Sequence, residues 1–386
     1  MPDAEPMRLL AHSVALAPLG GVEICTLQDA IGLAGRGHSL GVAHGADGPL
    51  RAAYEAAGID LDGPHRFGFD PRTALRDVRA FSRPARWARQ RATEVVWLNR
   101  VEHLPWGQAV ARWSGAALVC HLHAPPPFRW LRPLAAGVDH LVAISGSVRD
   151  AYLDRGVDPA RVTLVPNALP PRAYPRGDVA ERAAARAQLG LPPDAPVVLC
   201  YGHLSRAKGV PELLRAWTQL ASRRPDALLV LVDSLSAEPD PVVAAQLAQL
   251  DPRSYRLFPM ATDVVPFLHA ADVVAFPTLL PETFGRVVLE GLATGRPVVA
   301  SRVGAVPELL SGPMARFLVP PGDADRLAVT LAGLLDWRRD EPGLGAECVA
   351  WVERHWSFPA HLDLLEGVLA TARDAHRRRP GHRAPA

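Results

Sequence analysis

The chain has 386 residues, 48% of them hydrophobic and 21% charged, with a formal net charge of +2. That is globular composition at a length that favours two domains; it excludes a disordered or fibrous chain and leaves no demand for a nucleic-acid partner. The four cysteines, Cys25, Cys120, Cys200 and Cys348, have no zinc or disulfide spacing and read as reduced core thiols of a cytoplasmic protein. The first residues lack a secretory signal pattern, and no apolar run reaches the length of a spanning helix. Lysine occurs once, at Lys208, and the other 41 basic residues are Arg. This is the mutational bias of a GC-rich genome.

In chain order, Met7–Leu16 predicts a strand, Gly20–Ala34 a helix and Ser39–Ala43 a second strand after the Arg36-Gly37-His38 turn. The stretch Pro71–Ala92 carries seven Arg with Phe81 and Trp87. It reads as a solvated helix face in preference to a membrane-surface helix, because Pro84 interrupts the amphipathic period. Further strands are expected at Glu94–Leu98, Ala117–His121, His140–Ile144 and Val162–Val165. After a Pro-rich stretch a second series follows, at Val197–Tyr201, Ala227–Val232, Val273–Pro277 and Val298–Ser301. Strands alternating with helices imply parallel sheets covered on both faces. The expected architecture is α/β, with two doubly wound, Rossmann-like domains facing across a cleft. Its boundaries are 1–170, 171–357, a helix over 358–375 that returns to the first domain, and a disordered tail over 376–386.

Two segments carry chemistry. Pro281-Glu282-Thr283-Phe284-Gly285-Arg286-Val287-Val288-Leu289-Glu290 follows a predicted strand and runs into a helix near Gly285. Such a strand-to-helix loop is where α/β folds hold phosphates. Glu282 would lie in the loop, and Glu290 could reach a neighbouring polar group such as a ribose. Tyr201-Gly202-His203-Leu204-Ser205-Arg206-Ala207-Lys208-Gly209 follows the first strand of the second series. In an extended loop Arg206 and Lys208 would point the same way, and a pair of cations suits a diphosphate.

Together these motifs resemble the retaining glycosyltransferases of family 4, which have the two-domain GT-B fold. Gly20-Gly21-Val22-Glu23, Val165-Pro166-Asn167, Ala270-Ala271-Asp272-Val273, Gly295-Arg296-Pro297 and Pro320-Pro321-Gly322-Asp323 also fit, in the correct order over residues 8–370. The usual Asn-Gly-Val-Asp is Asn167-Ala168-Leu169-Pro170 here, and a Gly-Gly pair is Gly304-Ala305. The glycine expected near the base is Pro259, so uridine and guanosine are not distinguished by this motif. A UDP-linked donor is the expectation. The resemblance implies that Arg206 and Lys208 neutralise the donor diphosphate, that Glu282 holds sugar hydroxyls and that Glu290 holds the ribose. Backbone groups of Thr283, Phe284, Gly285, Arg286 and Val287 would contact sugar and phosphate. From the first domain, Gly20 and Gly21 would contact the donor, and His123 would face the transferred sugar. His121 is the other candidate, disfavoured because His123 lies past the strand end. No metal and no cofactor beyond the nucleotide-sugar co-substrate are implied.

The acceptor is expected to be small and polyhydroxylated. The composition looks actinobacterial and the chain resembles transferases of aminoglycoside antibiotic pathways, which suggests an aminocyclitol. A polycation of that kind would need carboxylates, and Glu23 and Glu102 are the candidates. The alternatives are a lipid or polysaccharide acceptor of the cell envelope, with Pro71–Ala92 as docking element, or an epimerase or hydrolase of the same fold. A dinucleotide oxidoreductase is disfavoured because Ala17-Pro18-Leu19-Gly20-Gly21 lacks the glycine fingerprint. A nucleic-acid or membrane binder using the Arg-rich stretch is disfavoured too.

Overall fold

The computed structural model describes residues 5–127, 135–233, 240–259, 261 and 263–379. The chain divides into two α/β units. One contains the chain up to Asn167 together with the part from Pro359 onward, and the other is Ala168–Phe358. The first crossing thus lies three residues before the expected 170/171 boundary, and the second lies at Phe358/Pro359.

The first unit holds a seven-stranded parallel sheet. Its strands are β1 (Arg8–Ala15), β2 (Ser39–Ala46), β3 (Asp60–Asp62), β4 (Val95–Leu98), β5 (Ala117–Leu122), β6 (His140–Ala143) and β7 (Val162–Leu164), in the order β3-β2-β1-β4-β5-β6-β7. The second unit repeats the scheme with β8 (Val197–Gly202), β9 (Leu228–Asp233), β10 (Tyr255–Phe258), β11 (Val273–Phe276), β12 (Val298–Ser301) and β13 (Leu318–Val319), in the order β10-β9-β8-β11-β12-β13. Central strands such as β4, β5, β9 and β11 are buried at every residue, because helices cover both faces. This is the GT-B architecture of two doubly wound domains. Three strands have no counterpart in the sequence reading: β3, β10 and β13. All three are sheet edges, paired on one side only, and β10 leaves Arg256 and Leu257 exposed. An edge strand needs no continuous apolar run, so hydrophobic periodicity misses it.

The Arg-rich stretch is a helix with an exposed Arg face, as expected, but Pro84 does not interrupt it. After a turn of 3₁₀ helix at Pro71–Thr73, a helix runs unbroken from Ala74 to Gln90 with Pro84 inside it. Pro84 lies on the buried stripe with Asp77, Phe81, Ala85 and Ala88. Its ring supplies core surface on that stripe, which offsets the lost backbone hydrogen bond.

In the second unit, Asp272 just before β11 is 2% exposed and faces Arg186 at 2.8 Å, Arg338 at 3.0 Å and Arg182 at 3.1 Å. Its carboxylate also accepts from the Val197 amide at 2.8 Å, which ties β8 to β11. Burial would raise the Asp272 pKa, but the surrounding guanidinium groups and the Val197 amide outweigh it and hold the group below the usual carboxylate range.

The C-terminal helix, Phe358–Arg377, packs within the first unit, two residues longer than the sequence boundary. His376 pairs with Asp139 and Arg377 with Glu94, so the start of the expected tail is helical. Residues 380–386 of that expectation lie outside the described residues. Arg36 anchors the helix through Asp363 at 2.7 Å and Glu366 at 2.9 Å. His361, 2% exposed, places Nε2 at 3.0 Å from Asp29 Oδ1 and Nδ1 at 2.7 Å from the Pro166 carbonyl oxygen. Both partners accept, so both ring nitrogens must donate, and only an imidazolium does that. Burial opposes the charge, but the Asp29 carboxylate outweighs burial and raises the His361 pKa, with Arg36 a minor opposing neighbour.

The sign of the pH effect follows. A raised folded pKa gives stability that is complete below the unfolded value of about 6.5 and is lost as pH rises through the folded value. The Tm advantage of the parent over His361→Gln should therefore be largest near pH 6 and shrink steadily towards pH 9. A gap constant across that range would show that His361 is neutral.

Candidate functional site

In a parallel sheet the loops that leave the strand ends gather at one edge, and strands adjacent in the sheet bring their loops together. In the second unit the neighbours β8, β11 and β12 are followed by segments 203–209, 277–285 and 302–305. The strand order reverses between β8 and β11, the position where doubly wound sheets bind ligands.

Lys208 and Glu282 meet there, with Nζ 2.7 Å from Oε2. Their backbones are held by two glycines. Gly209 has φ 68°, and a Cβ on it would lie 1.9 Å from the Pro277 carbonyl oxygen. Gly304 has φ 51°, and its Cβ would lie 2.1 Å from the Glu282 carbonyl oxygen, which also accepts from the Ala305 amide at 2.8 Å. The loops after β11 and β12 can touch only because no side chain stands between them.

The 203–209 segment is a turn and not the extended loop expected from the sequence. The Lys208 amide donates to the Ser205 carbonyl oxygen at 3.2 Å and the Gly209 amide to that of Arg206 at 2.9 Å. The turn sends the two cations to different carboxylates. Arg206 reaches Asp240 at 3.3 Å with its side chain 69% exposed.

Gly285, at φ 98°, caps the helix Arg286–Ala293. In its first turn the Val288 amide donates to the Gly285 carbonyl oxygen at 2.9 Å, and the helix start carries partial positive charge. Phe284 is 4% exposed and packs edge-on against Trp356, so its ring belongs to the packed interior beside the loop. Glu290, 6% exposed, accepts from Tyr174 Oη at 2.9 Å, Tyr201 Oη at 2.6 Å and Arg286 Nε at 3.2 Å. Neither tyrosine was singled out from sequence. Tyr201 ends the β8 apolar run and passes for core, and Tyr174 sits in the Pro-rich junction, where no periodicity marks it.

In the first unit the loops after β1, β4 and β5, again three sheet neighbours, bring together Gly20, Gly21 and Glu23, then Asn99 and Arg100, then His123. Gly20 is extended at φ −178° and precedes the helix Gly21–Gly35. Glu23, 1% exposed, accepts from Arg100 at 2.6 Å, so its charge meets a guanidinium; Glu102 is exposed. Gly20 approaches the second oxygen of Glu23, with its would-be Cβ at 3.7 Å. His121 is fully buried inside β5, whereas His123 lies one residue past its end and is half-buried. Their rings are 4.4 Å apart. Burial, reinforced by Arg100 and His361, lowers the His123 pKa to about 3, so the imidazole is neutral. His12, missed from sequence because it reads as part of β1, is fully buried with Nε2 2.9 Å from His103 Nδ1. Burial, His103 and Arg100 hold His12 well below its usual pKa.

Glu23 Oε2, Asn99 Oδ1 and His123 Nε2 are buried without a hydrogen-bond partner among the described residues. Each such group costs about 1–3 kcal/mol unless something satisfies it. Neutral rings and unsatisfied acceptors converging at a sheet end suit hydroxyl groups better than an ion.

Known proteins share this organisation. Residues 19–172 match the family described as Glycosyltransferase Family 4, and residues 195–336 match Glycosyl transferases group 1. The chain is 30% identical to a D-inositol 3-phosphate glycosyltransferase of Rhodococcus jostii, with 97% of this chain and 91% of that protein aligned. It is 35% identical to one of Acidothermus cellulolyticus over 63% of this chain, a match that spans only 54% of that relative. A GDP-mannose-dependent monoacylated alpha-(1-6)-phosphatidylinositol monomannoside mannosyltransferase of Corynebacterium glutamicum is 28% identical, covering 73% of this chain and 77% of the relative. Among solved structures, Anabaena HepE in complex with UDP-glucose has a TM-score of 0.80 at 23% identity, covering 95% of this chain and 100% of that one. A sucrose-phosphate synthase of Thermosynechococcus elongatus gives 0.70 at 20% identity, covering 96% and 100%. At these identities the structural likeness carries the fold alone.

The glycine contacts can be tested directly. Gly304→Ala adds a left-handed strain of about 1–2 kcal/mol and a collision with the Glu282 backbone. Urea unfolding should show a loss of about 2–3 kcal/mol in total. Gly68→Ala, with nothing within 4 Å of the added methyl, should stay within about 0.5 kcal/mol of the parent. Equal stability of all three proteins would refute the close approach.

Proposed function

Because the chain belongs to glycosyltransferase family 4, we propose that it moves a hexosyl or amino-hexosyl group from a nucleotide sugar, UDP-linked, to an acceptor hydroxyl. The observation that carries this reading is the Lys208–Glu282 pair at the strand-order reversal of the second unit. A nucleoside diphosphate brings negative charge and its sugar brings hydroxyls. Lys208 would exchange Glu282 for the diphosphate, with exposed Arg206 as second cation, and Glu282 would turn to the sugar. The helix N-terminus that follows Gly285 adds partial positive charge. As the glycosidic bond stretches, charge grows on the departing diphosphate, and a fixed ammonium then stabilises the transition state more than the ground state. Lys208, joined by Arg206 once it swings from Asp240, can serve where other transferases use a divalent ion, so the reaction is proposed to be metal-independent. Retention of anomeric configuration is proposed from family membership. Four buried cysteines outside any disulfide accord with action in the cytoplasm.

For the acceptor, the relatives named for inositol phosphate and phosphatidylinositol mannoside support a cyclitol, free or lipid-borne, over the aminocyclitol of an antibiotic pathway. Glu23 points the same way, since its charge is spent on Arg100. The lipid-borne form is favoured by the helix Ala74–Gln90. Its outer face carries exposed Arg76, Arg79, Arg83, Arg86 and Arg89, while Asp77 is buried. Leu75 on the same face is 92% exposed. Asp62 relieves Arg83 and Asp77 touches Arg76, but like charges at spacings of three and four residues repel. An anionic bilayer would relieve them and accept Leu75.

The experiment presents UDP- and GDP-sugars with inositol phosphate, phosphatidylinositol in anionic vesicles, and an aminocyclitol, all in excess chelator. An α-linked cyclitol product by proton NMR is expected. A β linkage would remove retention, rescue by manganese would remove metal independence, and transfer to the aminocyclitol alone would reverse the acceptor order. With the working substrates, Lys208→Ala should lose on the order of 10²–10³ in kcat, and Lys208→Arg should recover only part of it. A change in kcat below about threefold would reject the leaving-group role.

A further inference from the structure

Among the described residues of the second unit's site, Glu290 is the acidic group that is buried and engaged by two tyrosines. An ionised carboxylate offers about four acceptor positions. Three are occupied: Tyr174 Oη and Arg286 Nε on Oε1, and Tyr201 Oη on Oε2. A ribose diol, which under the reading above is what Glu290 holds, brings two hydroxyl donors. One present donor must therefore leave.

The three donors are not equally fixed. Tyr201 belongs to β8, whose backbone is paired on both sides, to β9 and β11. Arg286 is the first residue of the helix that carries Glu290. Tyr174 lies between the Leu169–Ser357 bridge and the helix Val179–Leu189, in a stretch with no strand or helix, flanked by exposed Arg172, Pro175 and Arg176. Removing Tyr174 from Glu290 breaks its 2.9 Å hydrogen bond to that carboxylate and a long 3.5 Å one that its hydroxyl accepts from Arg286 Nη2, and no regular structure.

We propose that the Tyr174 hydroxyl is a built-in stand-in for a ribose hydroxyl: it satisfies Glu290 in the empty protein, is displaced when the nucleotide binds, and returns as the nucleotide leaves. Tyr174 thereby weakens nucleotide binding and favours release of the nucleoside diphosphate. The inference rests on the assignment of Glu290 to the ribose.

Calorimetric titration of the full chain with UDP and GDP tests it, comparing the parent, Tyr174→Phe and Tyr201→Phe. The phenyl ring keeps the packing and removes the competing hydroxyl, together with the long contact it accepts from Arg286. Tyr174→Phe should bind the better nucleotide about tenfold more tightly, equivalent to about 1.4 kcal/mol. The gain should vanish with the 2′,3′-dideoxy form of the same diphosphate, which has no hydroxyl to take the vacated position; a purely structural role would not discriminate the two. Tyr201→Phe should bring no gain. Unchanged or weaker binding by Tyr174→Phe, or an equal gain with the dideoxy form, would overturn the inference while leaving the donor reading intact. Failure of the parent to bind either nucleotide would overturn both.

Discussion

The second unit's site depends on backbone approaching backbone where Gly209 and Gly304 carry no side chain. Gly209 presses on the carbonyl of Pro277, and Gly304 presses on Glu282 itself. These contacts bind the turn after β8 and the loop after β12 to the loop after β11, so that Lys208 and Glu282 meet at 2.7 Å. Without them the two charged residues would sit on independent loops, and an ion pair 41% and 17% exposed at its side chains would contribute too little to hold them. The pair is a product of the loop geometry and not its cause.

Beneath that site lies a different electrostatic layer. Asp272, at the start of β11, collects three guanidinium groups and a backbone amide from β8 in the unit's interior. Losing Asp272 or Arg186, the buried pair of this cluster, costs about 3–5 kcal/mol, because the charge left behind is stranded out of water, whereas Arg182 and Arg338 keep solvent contact. The cluster fixes the pairing of β8 with β11, and that pairing places the two loops side by side. His361 does analogous work in the first unit, joining the C-terminal helix to Asp29 and to the chain just before the crossing. In both units buried charge sets the frame.

The two units share one topology but present opposite chemistry at their strand ends. The second offers cations and carboxylates that neutralise one another, Lys208 with Glu282 and Arg206 with Asp240, ready to exchange partners when a charged ligand arrives. The first offers neutral imidazoles, an Arg100–Glu23 pair and unsatisfied acceptors. Low-dielectric surroundings make the difference, since burial keeps His12, His121 and His123 uncharged. A diphosphate suits the one arrangement and a polyol the other.

What the sequence by itself determined was whatever local periodicity and spacing encode. The central strands are legible because burial on both faces demands continuous apolar runs, as at Val298–Ser301. The Glu282-to-Glu290 segment and the loop ending at Lys208 are legible because strand-loop-helix junctions have a recognisable local grammar. Edge strands β3 and β10 are not, since their half-exposed residues leave no apolar run, and β13 has only two residues. Pro84 misleads because chain order cannot show that its ring faces a packed stripe. The divergence of Arg206 from Lys208 is invisible because a turn and an extended loop can be written with the same residues. The tyrosines on Glu290 come from positions 27 residues apart in the chain and about 90 or more before the glutamate. Only tertiary structure could bring them to one carboxylate, because side-chain hydrogen bonds between distant segments follow from how strands are ordered in a sheet, and no local pattern records that order.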